Sequence, residues 1–169
     1  CLRMADEMAK GLGLPTETND AQHASAVAKQ FVEEFYDKSN HTYGYDGSDA
    51  VALSLGVYPE NEKEALLSAL LARLERRGYP MTTGIYSSPH LAKVLVESGH
   101  WNELMKVFFN PNSPSYRTII DDGHTTVPER LTSRLQVGRA EKGQSSLSHP
   151  MHCGWLRILF DSAGLFPRK

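Results

Sequence analysis

Residues 59–78 read PENEKEALLSALLARLERRG, and this stretch decides the fold class. Leu66, Leu67, Leu70, Leu71 and Leu74 recur at three- and four-residue intervals, the spacing that lines up side chains on one face of an α-helix. Asn61 with Glu64 three residues later reads as a capping box that starts the helix. Arg73, Arg76 and Arg77 load the last turns, where the helix dipole favours cations, and Gly78 is the stop. A helix with one leucine-rich face needs a neighbour to cover it. The flanking sequence supplies more helices rather than strands.

On the N-terminal side, Ser48 begins a short apolar helix through Val51, Leu53 and Leu55 to Gly56. Before it, Ala24, Val27, Ala28, Phe31, Val32 and Phe35 form a stripe on a helix predicted from about Ala21 to Tyr36, with Thr16 or Thr18 as its cap. Leu2, Met4, Ala5, Met8 and Leu12 show the same spacing from the first residues onward, with nothing before them to cap a helix. The chain also lacks an initiator methionine, so it is expected to be a piece of something larger.

On the C-terminal side, Ser88-Pro89 starts a helix ending at Gly99, and Trp101 to Phe109 forms another. Tyr116 to Ile120 reads as a short strand candidate. Thr126 and Glu129 open a further helix to about Leu135, a polar loop runs from Arg139 to Ser146, and Pro150 to Ala163 closes the chain as a helix. The fold class predicted is therefore all-α, stacked helical hairpins with hardly any strand, over residues 1–169 as a single domain.

Composition narrows the function. Of 169 residues, 40% are hydrophobic and 22% charged, as in a globular protein with a core of its own. Lys and Arg number 18 against 20 Asp and Glu, a net charge of −2, and no basic stripe stands out, which argues against nucleic acid as a partner. No apolar run approaches the roughly 20 residues of a membrane span. Cys1 and Cys153 make neither a disulfide framework nor a self-contained metal site, and they leave the compartment open.

The long connections collect polar and aromatic groups, among them Tyr43, Tyr45, Asp46, Thr82, Thr83, Tyr86, Tyr116, Asp121, Asp122, His124, His149 and His152. Carboxylates beside aromatic rings suit a sugar, whose C–H faces stack while its hydroxyls hydrogen-bond. His149-Pro150-Met151-His152-Cys153 offers two imidazoles and a thiol but no distant ligand to complete a zinc site, so no metal is expected. No Gly-x-Ser-x-Gly elbow and no Gly-rich phosphate loop occurs, and no cofactor is expected. Glu129 supports two uses. It fits a capping box with Thr126, and in a first helical turn its ionised form gains from the dipole, as a base requires.

Three motifs in order carry a resemblance. Thr82-Thr83-Gly84, followed by Pro89 and Leu91, is similar to a Thr-Thr-Gly loop and its downstream Pro-x-Leu in bacterial α-L-rhamnosidases. Gly123 to Arg130 (Gly-His-Thr-Thr-Val-Pro-Glu-Arg) resembles that family's Gly-Ala-Thr-Thr-x-Trp-Glu-Arg. Ser146-Leu147-Ser148-His149 looks like its Ser-Leu-Asn-His, with Gly154 and Trp155 in the helix that follows, and Pro114-Ser115-Tyr116 matches a Pro-Ser-aromatic stretch. The spacing is kept over roughly residues 45 to 165.

The resemblance implies a partial (α/α)6 toroid, roughly the C-terminal half of a six-hairpin glycosidase. It also implies inverting hydrolysis of terminal α-L-rhamnosides on a rhamnose-containing glycan or glycoside. Glu129 would be the general base and His149 would line the sugar site, with Tyr86 and Tyr116 shaping it. The acid of that family lies upstream, and no matching segment exists here, so the isolated chain is expected to hydrolyse poorly. Pro128 and Leu131 stand where the family usually carries tryptophan, Ser148 where it has asparagine and His124 where it has a small residue. The rival reading is a non-catalytic helical module that binds glycan or protein, favoured if Glu129 caps a helix away from any cleft. Half a toroid would leave a helix face uncovered, so a homo-oligomer through that face is expected.

Overall fold

Leu66, Leu70 and Leu74 are fully buried, at 0% exposure each, as the leucine spacing predicts. Burying a leucine side chain stabilises the fold by roughly 1.5–3 kcal/mol, so this one face anchors the helix firmly. The protein was described from a computed structural model, which covers residues 2–14, 20–112, 114–132 and 146–165. Its helices are α1 (Leu2–Gly11), α2 (Asp20–Phe35), α3 (Asp46–Leu55), α4 (Lys63–Arg76), α5 (Ser88–Glu97), α6 (Trp101–Phe108), α7 (Tyr116–Asp121) and α8 (Leu156–Ser162). A 3-10 turn, Pro150–Trp155, leads into α8. Among the described residues there is no strand, only one isolated bridge between Asp37 and Thr42.

The helices stack as hairpins. α3 packs on α4 and α5, and α5 also meets α6, the 3-10 turn and α8. Small residues let α3 come close: a Cβ added to Gly47 would lie 2.9 Å from the Ser87 hydroxyl. The core continues through Leu91 and Leu95 of α5, Leu104, Val107 and Phe108 of α6, and Tyr116, Ile119 and Trp155. Phe108, Tyr116 and Trp155 form an aromatic cluster with ring centroids 4.8–5.7 Å apart.

Four local expectations are corrected. α4 begins at Lys63 with Glu62 at its N-cap, not with an Asn61–Glu64 box. Asn61 sits at φ 66°, left-handed backbone that Asn tolerates, whereas an N-cap is extended. The Glu62 carboxylate is taken instead by the Tyr36 hydroxyl at 3.1 Å and His41 at 2.7 Å. Tyr116 to Ile120 is helix, not strand, because Ser115 and Thr118 cap each other's backbone N–H, at 3.3 and 2.9 Å.

Residues 124–132 are not helical either. The groups a helix would use are bonded across the chain: Glu129 N–H donates to Ser146 O at 2.8 Å, His149 N–H to Val127 O at 2.7 Å, and Thr126 Oγ1 to Leu147 O at 2.6 Å. The closing helix opens as the tighter 3-10 turn before α8. Thr16, Thr18, Leu135 and nearly all of the Arg139–Ser146 stretch lie outside the described residues.

α1 and α2 pair with each other yet bury none of their residues. Met4, Met8 and Leu12 on one side and Val27, Phe31 and Phe35 on the other are exposed at 41–70%. Contiguous apolar surface of this kind drives association. The isolated chain is accordingly expected to sediment as a species larger than a monomer, and Phe35→Glu to shift it toward the monomer. A wild-type chain that stays monomeric at high concentration would contradict this.

Candidate functional site

The connection between α4 and α5 and the two crossing segments 126–132 and 146–152 meet at an open cleft of about 250 Å³. Met81, Thr82, Thr83 and Gly84 form one wall; Glu129, Leu131, Thr132 and His152 form the other, with Pro114 between them. Thr-Thr-Gly and the Glu129 segment, about 45 residues apart in sequence, thus line the same cleft. A larger hollow, about 420 Å³ beside Tyr79, Met105 and Phe109, has no carboxylate or imidazole in its lining.

The first wall is pinned from behind. Asp46 and Asp49, in the first turn of α3, are 1% and 0% exposed. Two buried carboxylates are costly unless cations and donors surround them. Arg73 supplies both: its Nε donates to Asp46 Oδ1 at 2.7 Å, Nη1 to Thr42 Oγ1 at 3.0 Å, and Nη2 to Asp49 Oδ2. Asp49 also accepts from Tyr43 N–H at 2.6 Å and Thr42 Oγ1 at 2.8 Å. Asp46 Oδ2 accepts from Arg77 at 3.1 Å and from Thr82 Oγ1 at 2.6 Å. The Thr82 bond ties the cleft wall directly to this network. Asp46 is therefore a structural group of the wall, not an exposed loop residue, and Arg73 serves two carboxylates as well as the end of α4.

Glu129 is exposed and lines the second wall, while Pro128 beside it is fully buried. Ser146 N–H donates to Glu129 Oε2 at 3.2 Å, so the carboxylate bonds across to the facing segment rather than back to its own helix. Among the described residues lining the cleft, Glu129 is the one carboxylate. Its side chain is at the cleft, with no helix dipole to serve as the sequence suggested.

The other candidates scatter. His149 is held by its backbone to Val127, and its ring meets that of His152 edge-on at 5.9 Å. Its Nε2 is buried with no hydrogen-bond partner among the described residues. The imidazole in the cleft lining is that of His152. Tyr86 is 76% exposed and stands outside the cleft lining. Tyr116, named as shaping the sugar site, is a core residue: it is 5% exposed, and its hydroxyl donates to His152 O at 2.6 Å. Burial pushes that phenol well above its usual pKa.

Met81 and Thr132 are the lining residues that the sequence did not single out, while Thr83 and His152 stood among its polar loop residues without a role. Thr83 is 5% exposed and its Oγ1 is buried without a partner among the described residues. The one signal in the sequence was the Thr-Thr pair itself, of which the Thr82 hydroxyl donates to Asp46. Among the described residues no cluster of three or more His, Cys, Asp or Glu suits a metal ion. Cys153 is a free, half-buried thiol.

Comparison with known proteins gives one consistent family. Residues 1–162 match the family described as the bacterial alpha-L-rhamnosidase 6 hairpin glycosidase domain. An alpha-L-rhamnosidase of Formosa agariphila is 30% identical over 140 residues, 82% of this chain and 14% of that protein. An alpha-L-rhamnosidase of an Alteromonas species is 32% identical over 127 residues, 73% of this chain and 14% of that one. The crystal structure of Streptomyces avermitilis alpha-L-rhamnosidase complexed with L-rhamnose superposes with a TM-score of 0.82 at 22% identity, over 94% of this chain and 16% of that chain. The Aspergillus terreus enzyme gives 0.77 at 19% identity, over 95% and 18%. This chain thus spans about a seventh of the length of the curated relatives it matches. The superpositions bear out the helical-hairpin fold.

Proposed function

This chain belongs to the bacterial α-L-rhamnosidase six-hairpin glycosidase family, and on that premise we propose that it carries the general-base half of an inverting α-L-rhamnosidase site, with Glu129 as the base. The observation that supports the reading most is the position of Glu129. Its segment lines an open cleft together with the Thr-Thr-Gly loop, with no other carboxylate in the described lining. In this reading Glu129 takes a proton from the water that attacks the anomeric carbon while an acid protonates the leaving oxygen. The two carboxyl groups stand about 6.5–9.5 Å apart to leave room for the water.

No such partner lines the cleft among the described residues, so the acid in this proposal comes from a longer protein. Residues 1–169 then form a single domain within a six-hairpin barrel, and the isolated chain hydrolyses rhamnosides poorly. In this reading His149, Tyr86 and Tyr116 shape the sugar site together with Thr83, Tyr116 acting from the core through its bond to His152. A helical module that only binds glycan or protein was to be favoured if Glu129 capped a helix away from any cleft; it does neither.

Binding is testable on the chain itself. Titration of L-rhamnose into the labelled 169-residue chain is expected to shift amide NMR signals of Thr82–Gly84, Glu129–Thr132 and His149–His152. Shifts confined to the hollow at Tyr79 and Phe109, or none at tens of millimolar sugar, would count against the site.

A further inference from the structure

We infer that His152 is the positioning residue that fixes Glu129 in the cleft. The inference rests on the reading of Glu129 as the base and adds to it how a carboxylate outside any helix is held. His152 Nε2 lies 2.8 Å from the Glu129 carbonyl oxygen. A carbonyl only accepts, so Nε2 carries the proton and the tautomer is set by this bond. His152 Nδ1 is buried and meets no hydrogen-bond partner among the described residues. The Glu129 carbonyl is therefore the ring's one polar anchor there.

His152 is itself well anchored. It is 4% exposed, its N–H donates to His149 O at 3.1 Å, and its carbonyl accepts from Tyr116 Oη at 2.6 Å. Tyr116 packs against Phe108 and Trp155, with centroids at 5.7 and 5.0 Å. A rigid aromatic core thus fixes the His152 backbone, and the His152 ring fixes the Glu129 backbone. Among the described residues the other polar ties of Glu129 run to Ser146, through its N–H at 2.8 Å and its Oε2 at 3.2 Å. Ser146 adjoins no regular element among the described residues, so the His152 bond is the polar link from Glu129 to the core, beside the buried neighbours Pro128 and Leu131. A displacement of about 1 Å in a reacting group costs roughly 100-fold in rate, so the loss of this bond reads out in turnover rather than in substrate binding.

Two variants separate positioning from packing. His152→Phe keeps a ring but removes the donor, and His152→Gln keeps an amide N–H near the place of Nε2. Assayed on an aryl α-L-rhamnoside in the full gene product, His152→Phe is expected to lower kcat about 10- to 100-fold with KM within about twofold. His152→Gln is expected to recover most of the loss. Equal losses in both variants, or a loss confined to KM, would overturn the positioning role.

A second readout needs no turnover. In the wild-type 169-residue chain, long-range proton–nitrogen NMR is expected to show His152 protonated at Nε2 with a slowly exchanging proton. His152→Phe is expected to speed exchange of the Glu129 amide, and His152→Gln to do so less. A Nδ1-protonated or freely exchanging His152 overturns the inference even if catalysis depends on Glu129. Conversely, if Glu129→Gln leaves turnover intact, the base reading fails, while the exchange data still decide whether His152 grips residue 129.

Discussion

Replacing Arg73 with methionine is expected to destabilise the chain by about 3–5 kcal/mol, the cost of breaking a buried ion pair by removing one partner. The side chain is 15% exposed and bridges two carboxylates that are 1% and 0% exposed. Without it Asp49 retains only Thr42 and the Tyr43 amide, and Asp46 retains Thr82 and the half-exposed Arg77. Total stabilities are about 5–15 kcal/mol, so the loss is a large share. With a urea slope of ~2 kcal/mol/M the unfolding midpoint falls by ~2 M.

Lysine at this position keeps the charge but not the planar fork that reaches Asp46, Asp49 and Thr42 together. Arg73→Lys should therefore fall between wild type and Arg73→Met. Urea unfolding followed by circular dichroism decides it. A midpoint for Arg73→Met within ~0.3 M of wild type would show that the network contributes little, and with it the account of how the Thr82 wall is held.

Glu129→Gln is expected to lower kcat of the full gene product about 10²–10⁴-fold on an aryl α-L-rhamnoside, the usual contribution of a general base. The amide is nearly isosteric, and its carbonyl oxygen still accepts from Ser146 N–H, the one side-chain bond of Glu129 among the described residues. Stability and KM should move little, so the loss reports on proton transfer rather than folding. Activity within twofold of wild type would remove Glu129 from the reaction.

The parts of the fold that were legible are those written in local spacing. Leu66, Leu70 and Leu74 buried one face of α4, and the α5 and α6 boundaries fell within two residues of the glycine, proline and asparagine signals. The misreadings share a cause. Thr126 and Glu129 look like a capping box because their spacing is right, yet the Thr126 hydroxyl donates to Leu147 O and the Glu129 N–H to Ser146 O, some twenty residues away. A short-range rule has no access to such partners. Nor does Pro-Ser-Tyr announce that the Tyr116 ring packs in one cluster with Phe108 and Trp155. Glu129 reached the cleft by a route the spacing did not describe, and only motif order pointed to it.

If Glu129 activates a water for attack with inversion, the stereochemistry of the first product shows it. The most direct test is to follow the first minutes of hydrolysis of an aryl α-L-rhamnoside by proton NMR, with the full gene product and with Glu129→Gln. β-L-rhamnose is expected to appear first and equilibrate to the anomeric mixture, and Glu129→Gln to form it at least ~100-fold more slowly. First appearance of the α-anomer, or an undiminished rate in Glu129→Gln, would contradict it.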